Sequence, residues 1–128
     1  MKPKHAAGHD KNHFIVRDYL AYVCGGMVSE KRAVDVVYLA SRRGIPVGAI
    51  DTSRLGGFWL DWLIFAGHYC ALVEVKTPEA YRKPNNDLRP GEAWAIANLP
   101  LRAFVVCDDD GVSAAFEVLL AEYAQNYA

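Results

Sequence analysis

Two apolar segments joined by a short turn constrain the fold of this chain more than any other feature. Residues 59–66 and 69–76 both have the composition of strands, and only Gly67-His68 separates them. Glycine readily adopts the positive φ that opens a type II′ turn, which commonly closes two-residue hairpins. The sequence therefore predicts a β-hairpin with a defined register.

Three charged residues converge in this predicted hairpin. Pairing Ala66 with Tyr69 across the turn and counting back places Asp61 directly opposite Glu74. Because side chains alternate along a strand, Lys76 shares the face of both carboxylates. Carboxylates about 5 Å apart across a ladder repel each other, whereas hard cations such as Mg²⁺ bind to such oxygens. A nearby ammonium can stabilise a phosphate or orient a water molecule, so the pattern indicates metal-dependent phosphodiester cleavage.

A structural explanation of these residues stands beside the functional one. Polar residues at the end of a buried strand commonly face solvent or form an ion pair, and an isolated Asp…Glu-x-Lys pattern favours that explanation. Asp61, however, lies among Trp59, Leu60, Trp62 and Leu63. Charged side chains rarely enter such apolar runs unless they are paired or bind a metal, which favours a functional site.

Composition sets the broad class of the protein. With 128 residues, 52% of them apolar and 23% charged, the chain is expected to form one globular domain. The net charge of −1 provides no general basic field for nucleic acid, so such binding would depend on local basic residues. Three widely spaced cysteines without a CxxC motif favour a reducing compartment. No run is apolar enough to span a bilayer, so a cytoplasmic protein without membrane contact is expected.

The remaining patterns predict an order of helices and strands. Three strands in a meander, then a crossover helix and a fourth strand, give a mixed α/β sandwich. Residues 1–28 are predicted to form an N-terminal extension with a short helix, and residues 29–128 the main domain. The predicted elements are a helix within 13–24, a helix over 29–43 that starts at Ser29 and ends at Gly44, strands at 45–50, 59–66 and 69–76, a loop over 77–89, a helix from Pro90 to before Pro100, a strand at 103–107 and a terminal helix capped by Ser113.

Four short motifs accompany this order of elements. They are Gly44-Ile45-Pro46-Val47, Ser53-Arg54-Leu55-Gly56-Gly57, Glu74-Val75-Lys76 and Leu88-Arg89-Pro90-Gly91-Glu92. Over residues 29–120 the chain resembles the PD-(D/E)xK nuclease superfamily, and more narrowly the small VRR-type nucleases common in bacteriophages. The resemblance implies a restriction-endonuclease-like α-β-β-β-α-β core, in which helices flank a mixed central sheet, with an extra N-terminal helix.

The resemblance also assigns roles to individual residues. Asp61 and Glu74 would hold a Mg²⁺ or Mn²⁺ ion, the carbonyl of Val75 would be a further ligand, and Lys76 would assist the attacking water. Many members carry an acidic metal ligand on the first helix, and the matching position here is Asp35. The alternative for Asp35 is an exposed helix position paired with a basic neighbour.

The implied substrate is DNA, with a preference for branched or nicked structures. A homodimer is expected, because a small nuclease needs two active sites to cut both strands together. Phe58 and Leu60 stand where the family usually has a glycine and a proline, and Glu92 stands where glutamine is common. The basic residues expected to contact phosphates are Arg54, Arg82, Lys83 and Arg89.

Three other patterns have simpler explanations than a functional one. Phe58, Trp59 and Trp62 could stack on exposed bases, although aromatic residues in a strand more often belong to the core. The acidic run 108–110 lies between a strand and a helix, so turn formation and helix capping explain it better than a second metal site. Three histidines at positions 5, 9 and 13 recur at helical spacing without completing a metal site.

Two other functions stay open at this stage. The chain could be a catalytically silent module that keeps the nuclease fold and binds DNA or a host protein. It could also be a structural protein that dimerises through its N-terminal helix.

Overall fold

A computed structural model describes Val16 and residues 27–28, 37–55 and 58–127. A 3₁₀ turn spans Ser53–Leu55. The helices are α1 (Pro78–Tyr81), α2 (Pro90–Asn98) and α3 (Asp109–Tyr127). The strands are β1 (Met27–Val28), β2 (Val37–Arg42), β3 (Ile45–Asp51), β4 (Trp62–Ala66), β5 (Tyr69–Val75) and β6 (Arg102–Val106).

The strands form one six-stranded sheet in the order β1-β2-β3-β4-β5-β6. Neighbouring strands are antiparallel except β5 and β6, which are parallel. A parallel pair needs a crossover connection, and α2 lies in it. The predicted mixed α/β class is therefore confirmed, as are the meander (β3 to β5) and the crossover helix before the last strand.

The hairpin of β4 and β5 has the predicted register. Ala66 pairs with Tyr69, and Trp62 pairs with Val73. Gly67 has a φ of 61°, and a Cβ at this position would overlap the ring of Tyr123 in α3. Glycine is therefore needed here both by the turn and by the helix that packs over it.

The predicted helix over 29–43 is wrong for residues 37–42, which form strand β2. Arg43 and Gly44 have φ values of 55° and 77° and connect β2 to β3 as a two-residue hairpin turn. A glycine at positive φ ends a helix and closes a hairpin equally well, so Gly44 could not distinguish the two. The β-branched and aromatic residues of 36–39 favour the strand. Residues 29–36, including Asp35, lie outside the described residues.

Helices cover both faces of the strands β4 to β6. One face carries a large apolar cluster in which Trp62 and Ile64 pack against Phe116 and Leu119 of α3. The opposite face carries a smaller cluster built from Leu60, Leu72 and Ala95 of α2, with partly buried neighbours that include Trp59 and Leu63. Because side chains alternate, Glu74 follows Leu72 on the α2 face of the sheet.

The elements after β5 begin close to the predicted positions, with two corrections. The segment predicted as a loop over 77–89 contains the short helix α1, which Thr77 caps. Pro90 opens α2, and β6 begins one residue before the predicted strand. The terminal helix begins at Asp109 and not near Ser113, because Asp108 Oδ1 accepts a hydrogen bond from the Gly111 amide at 2.9 Å. This contact supports the capping explanation of the acidic run. Within the described residues, no helix combines the length and apolar character needed to cross a membrane.

Candidate active site

The loop before β4 is anchored by Thr52, a buried residue that follows β3. Its amide donates to the Asp61 carbonyl at 2.9 Å, and its hydroxyl donates to the Leu60 carbonyl at 2.8 Å. These two bonds fix the backbone of the residues that enter β4. Asp61 consequently has a defined position at the end of the hairpin opposite the Gly67 turn.

The side chain of Asp61 reaches across to β5. Its Oδ2 accepts a hydrogen bond from the Val75 amide at 2.8 Å. A carboxylate offers about four acceptor positions, so this bond uses only part of its capacity. The contact ties Asp61 to the segment that carries Glu74, as the predicted register requires.

Glu74 is a buried carboxyl, with 4% of its surface exposed. Burial, the nearby Asp61 and a hydrogen bond with Glu92 together raise its pKa to about 10, while Lys76 acts in the opposite direction. At neutral pH Glu74 is therefore protonated and donates to the Glu92 carboxylate. A strongly shifted carboxyl within a cluster of charged groups is typical of a functional site.

Lys76 forms its short ion pair with Glu92 and not with Glu74. Its Nζ lies 2.7 Å from Glu92 Oε1 and 3.7 Å from Glu74 Oε2. The Nζ also donates to the Asp87 carbonyl at 3.2 Å, and the Lys76 amide donates to the Val106 carbonyl at 2.8 Å. The lysine is thus held at the carboxyl ends of β5 and β6, where ligands of α/β proteins commonly bind.

Glu92 joins the site to the first turn of α2. Its Oε1 accepts from the Arg89 amide at 2.9 Å, the reciprocal bond of a capping arrangement. Burial opposes ionisation of this carboxyl, but the hydrogen bonds from Glu74, Lys76 and Arg89 outweigh it and lower its pKa. Glu92 therefore accepts hydrogen bonds from the helix start, from the lysine and from the second carboxyl.

The structure therefore brings Asp61, Glu74 and Lys76 together, as the register predicted, and adds Glu92. The sequence argument treated Glu92 only as a helix-start residue and a departure from glutamine. One signal could have indicated its role. A crossover helix between two parallel strands begins near the carboxyl end of the first strand, so an acidic residue in its first turn lies near Lys76.

The basic residues predicted to contact phosphates fall into two groups. The side chain of Arg54 lies outside the described part. Arg82, Lys83 and Arg89 are exposed on the segment between β5 and α2, and Lys83 Nζ lies 3.6 Å from Asp87 Oδ2. Burial and the nearby Asp108 raise the pKa of the Cys107 thiol, while Arg82 acts in the opposite direction, so Arg82 lies near the end of β6.

The aromatic residues of this region differ in exposure. Trp62 is fully buried, and Trp59 packs against the smaller cluster, which confirms the core assignment for both. Phe58 is 64% exposed, so it is not a core residue. Its ring lies edge-on to that of Trp94, with centroids 5.4 Å apart and an interplanar angle of 77°.

The described residues contain no group of three or more histidine, cysteine, aspartate or glutamate side chains arranged to hold a metal ion. Asp35 and the histidines at positions 5, 9 and 13 lie outside those residues. The acidic pair of Asp61 and Glu74 is therefore the candidate donor set within the described part of the chain.

Comparison with protein-family models, with curated proteins and with solved structures finds no match for this chain. Function is therefore inferred from the chemistry of Asp61, Glu74, Lys76 and Glu92.

Proposed function

We propose that the protein is a Mg²⁺- or Mn²⁺-dependent nuclease that hydrolyses phosphodiester bonds in DNA, with the PD-(D/E)xK type of site. The observation that carries the proposal is Glu74, a buried carboxyl that lies beside a second carboxylate and an ammonium at the end of the β4–β5 hairpin. Burying such a group costs free energy unless it has a partner or a ligand. Active sites are where proteins retain such groups.

The residues present suit a hard divalent cation. Mg²⁺ is commonly held by one or two carboxylates and keeps several of its water ligands. Asp61 and Glu74 provide two carboxyl groups, and the carbonyl of Val75 is a third candidate ligand between Glu74 and Lys76. Glu74 would have to lose its proton to bind the ion, and the cation's charge would favour that loss.

Each residue of the site has a distinct part in the proposed reaction. When bound, the cation would polarise a phosphate oxygen and make a bound water molecule more acidic. Lys76 directs its Nζ towards the attacking water and the developing phosphate charge, and Glu92 fixes the lysine side chain through the 2.7 Å contact. The water oxygen forms a bond to phosphorus while the bond to the leaving sugar oxygen breaks.

Substrate binding is expected from the exposed basic side chains beside the site. Arg82, Lys83 and Arg89 lie on the segment that connects β5 to α2 and follow Lys76 in the chain. Each phosphate contact releases a counterion, so the affinity for DNA should fall as salt is raised. Because the net charge of the whole chain is −1, binding depends on this local group.

The test is cleavage of DNA by purified protein with Mg²⁺, with Mn²⁺ and with EDTA. Cleavage is expected only with a divalent ion, and Lys76→Ala should lower the rate by at least about 100-fold, the scale of losing one positioned charge. Glu117→Gln is the matched control, because Glu117 is a partly exposed carboxylate on α3 that pairs with Arg43. Circular dichroism must show that Lys76→Ala stays folded. Cleavage that persists in EDTA, or in folded Lys76→Ala, would contradict the proposal.

A second function draws support from the Lys76–Glu92 contact. A short ion pair and a protonated Glu74 neutralise much of the site without any ligand. Such a site would also suit a catalytically silent nuclease-fold module that binds DNA or a protein. DNA binding without cleavage under Mg²⁺ and Mn²⁺, with Lys76→Ala and wild type binding equally, would favour that function.

A further inference from the structure

Most of the large apolar side chains that the described residues expose lie on segments that flank residues of the candidate site in the chain. Two precede Asp61, and two follow Lys76 on α1 and α2, whereas only one lies elsewhere, on α3. In chain order these residues are Leu55, Phe58, Tyr81, Trp94 and Val118. Exposed aromatic residues that cluster beside a polar site commonly mark a binding surface.

Phe58 and Trp94 form a defined aromatic pair within this group. Their edge-to-face contact at 5.4 Å is a favourable geometry that holds the two rings in a fixed relation. Phe58 is 64% exposed and Trp94 is 46% exposed, so parts of both rings face solvent. This pair, named the Phe58–Trp94 platform, therefore presents apolar ring surface that the fold does not cover.

Each ring of the platform lies close in the chain to a residue of the candidate site. Phe58 lies three residues before Asp61, whose carbonyl is bonded to Thr52. Trp94 lies two residues after Glu92, whose carboxylate bonds to Lys76. Each ring therefore belongs to a segment that also carries a residue of the site.

Charge indicates what this surface would bind. The exposed basic residues Arg82, Lys83 and Arg89 lie on the segment between Lys76 and the start of α2. Flat rings together with cationic side chains form the combination by which proteins bind unpaired nucleotides, because bases stack on the rings and phosphates contact the cations. Bases within a duplex stack on one another and do not offer their faces in this way.

We infer that the Phe58–Trp94 platform stacks on an unpaired base of a DNA strand whose phosphate lies at the candidate site. The inference rests on the proposed nuclease function and narrows its substrate to DNA with unpaired nucleotides, such as a single strand, a flap or a gap. A blunt duplex would use the basic residues alone and would gain nothing from the rings.

The test measures binding in EDTA, so that cleavage does not affect the readout. Fluorescence anisotropy compares a labelled oligo-dT with a blunt duplex of the same length for wild type, Phe58→Ala and Trp94→Ala. Loss of a stacking contact should weaken oligo-dT binding by roughly fivefold to a hundredfold for each variant. Duplex affinity should change by less than about twofold, and Trp94→Phe should restore oligo-dT binding, because phenylalanine also stacks.

Val118→Ala is the control, since Val118 is an exposed apolar residue on α3. Unchanged oligo-dT affinity in both alanine variants, or an equal loss for oligo-dT and duplex, would overturn the inference. A lower mass in solution for Phe58→Ala at unchanged DNA affinity would also overturn it, because the platform would then be a protein contact. If the protein prefers oligo-dT through the two rings but cleaves no DNA with Mg²⁺ or Mn²⁺, only the nuclease proposal is contradicted. If it cleaves DNA with either metal and both alanine variants bind oligo-dT as tightly as wild type, only the platform inference is contradicted.

Discussion

The two faces of the sheet differ in what they bury. The face under α3 is covered by an apolar cluster that runs from Val47 to Leu120 through strands β3 to β6. The face under α2 has only a small cluster around Leu60, Leu72 and Ala95, and it ends in Glu74, Lys76 and Glu92. The comparison teaches that one face supplies apolar burial, while the other buries ionisable groups at a cost in free energy. A protein can retain such a costly site when the opposite face has stability to spare.

The largest effect is expected on the α3 face. Phe116 is fully buried within the large cluster, so Phe116→Ala removes a ring from a close-packed core. The free energy of unfolding should fall by about 3–5 kcal/mol, the usual cost of such truncations. Urea unfolding followed by circular dichroism measures the loss. A cost below about 1 kcal/mol would show that this face does not carry the stability of the fold.

A pH-dependent effect, smaller for each pH unit, is expected from Glu74 on the α2 face. Its pKa is about 10 in the folded protein, whereas the ordinary value is 4.5, so between these values the folded state holds a proton that the unfolded state has released. The free energy of unfolding should therefore fall as pH rises through this window, by at most about 1.4 kcal/mol per pH unit. Glu74→Gln should remove this slope and stabilise the metal-free protein at pH 8.

The same group links metal binding to pH. Because a cation binds the ionised carboxylate, each binding event should release a proton, and Mn²⁺ affinity should rise with pH. Thermal unfolding at several pH values, with and without Mn²⁺, separates the two effects. If the stability of the metal-free wild type changes with pH as that of Glu74→Gln does, Glu74 is not a buried, protonated carboxyl. A Mn²⁺ stabilisation that survives in Glu74→Gln would contradict its role as a ligand.

The β4–β5 hairpin could be predicted from sequence because all its determinants are local. Gly67 fixes the turn, and apolar residues on both sides fix the pairing, so Asp61 and Glu74 follow by counting. Strand β2 could not be predicted so well. Val37 and Tyr38 fit a helical face as well as a strand, and Gly44 suits the end of either element. Residues 37–42 form a strand because they pair with β3, and this pairing is a tertiary interaction.

The candidate site was likewise predictable only in part. Asp61, Glu74 and Lys76 are close in sequence and belong to one hairpin. Glu92 lies 16 residues beyond Lys76, and its contact depends on where the crossover returns α2 to the sheet. Exposure of Phe58 was also not predictable, because a residue beside Trp59 and Leu60 has the same composition whether it faces the core or solvent.

The smallest effect distinguishes two carboxylates, Glu92 and Glu117, each of which forms an ion pair with a basic residue. Glu92→Gln keeps the capping bond of α2, because glutamine also serves in a capping box, but it removes the ion pair with Lys76. Both side chains of the pair are mostly buried, so the free energy of unfolding should fall by about 1–3 kcal/mol, between the losses for surface and buried pairs. The more informative result concerns Glu74, because Glu92 helps to raise its pKa. Loss of that carboxylate should move the upper end of the pH range in which Glu74 lowers stability to lower pH.

Glu117→Gln is the control, because it also removes an ion pair, the one between Glu117 of α3 and Arg43. It should leave that pH range unchanged. If both variants shift the window equally, or neither does, Glu92 does not control the protonation of the site.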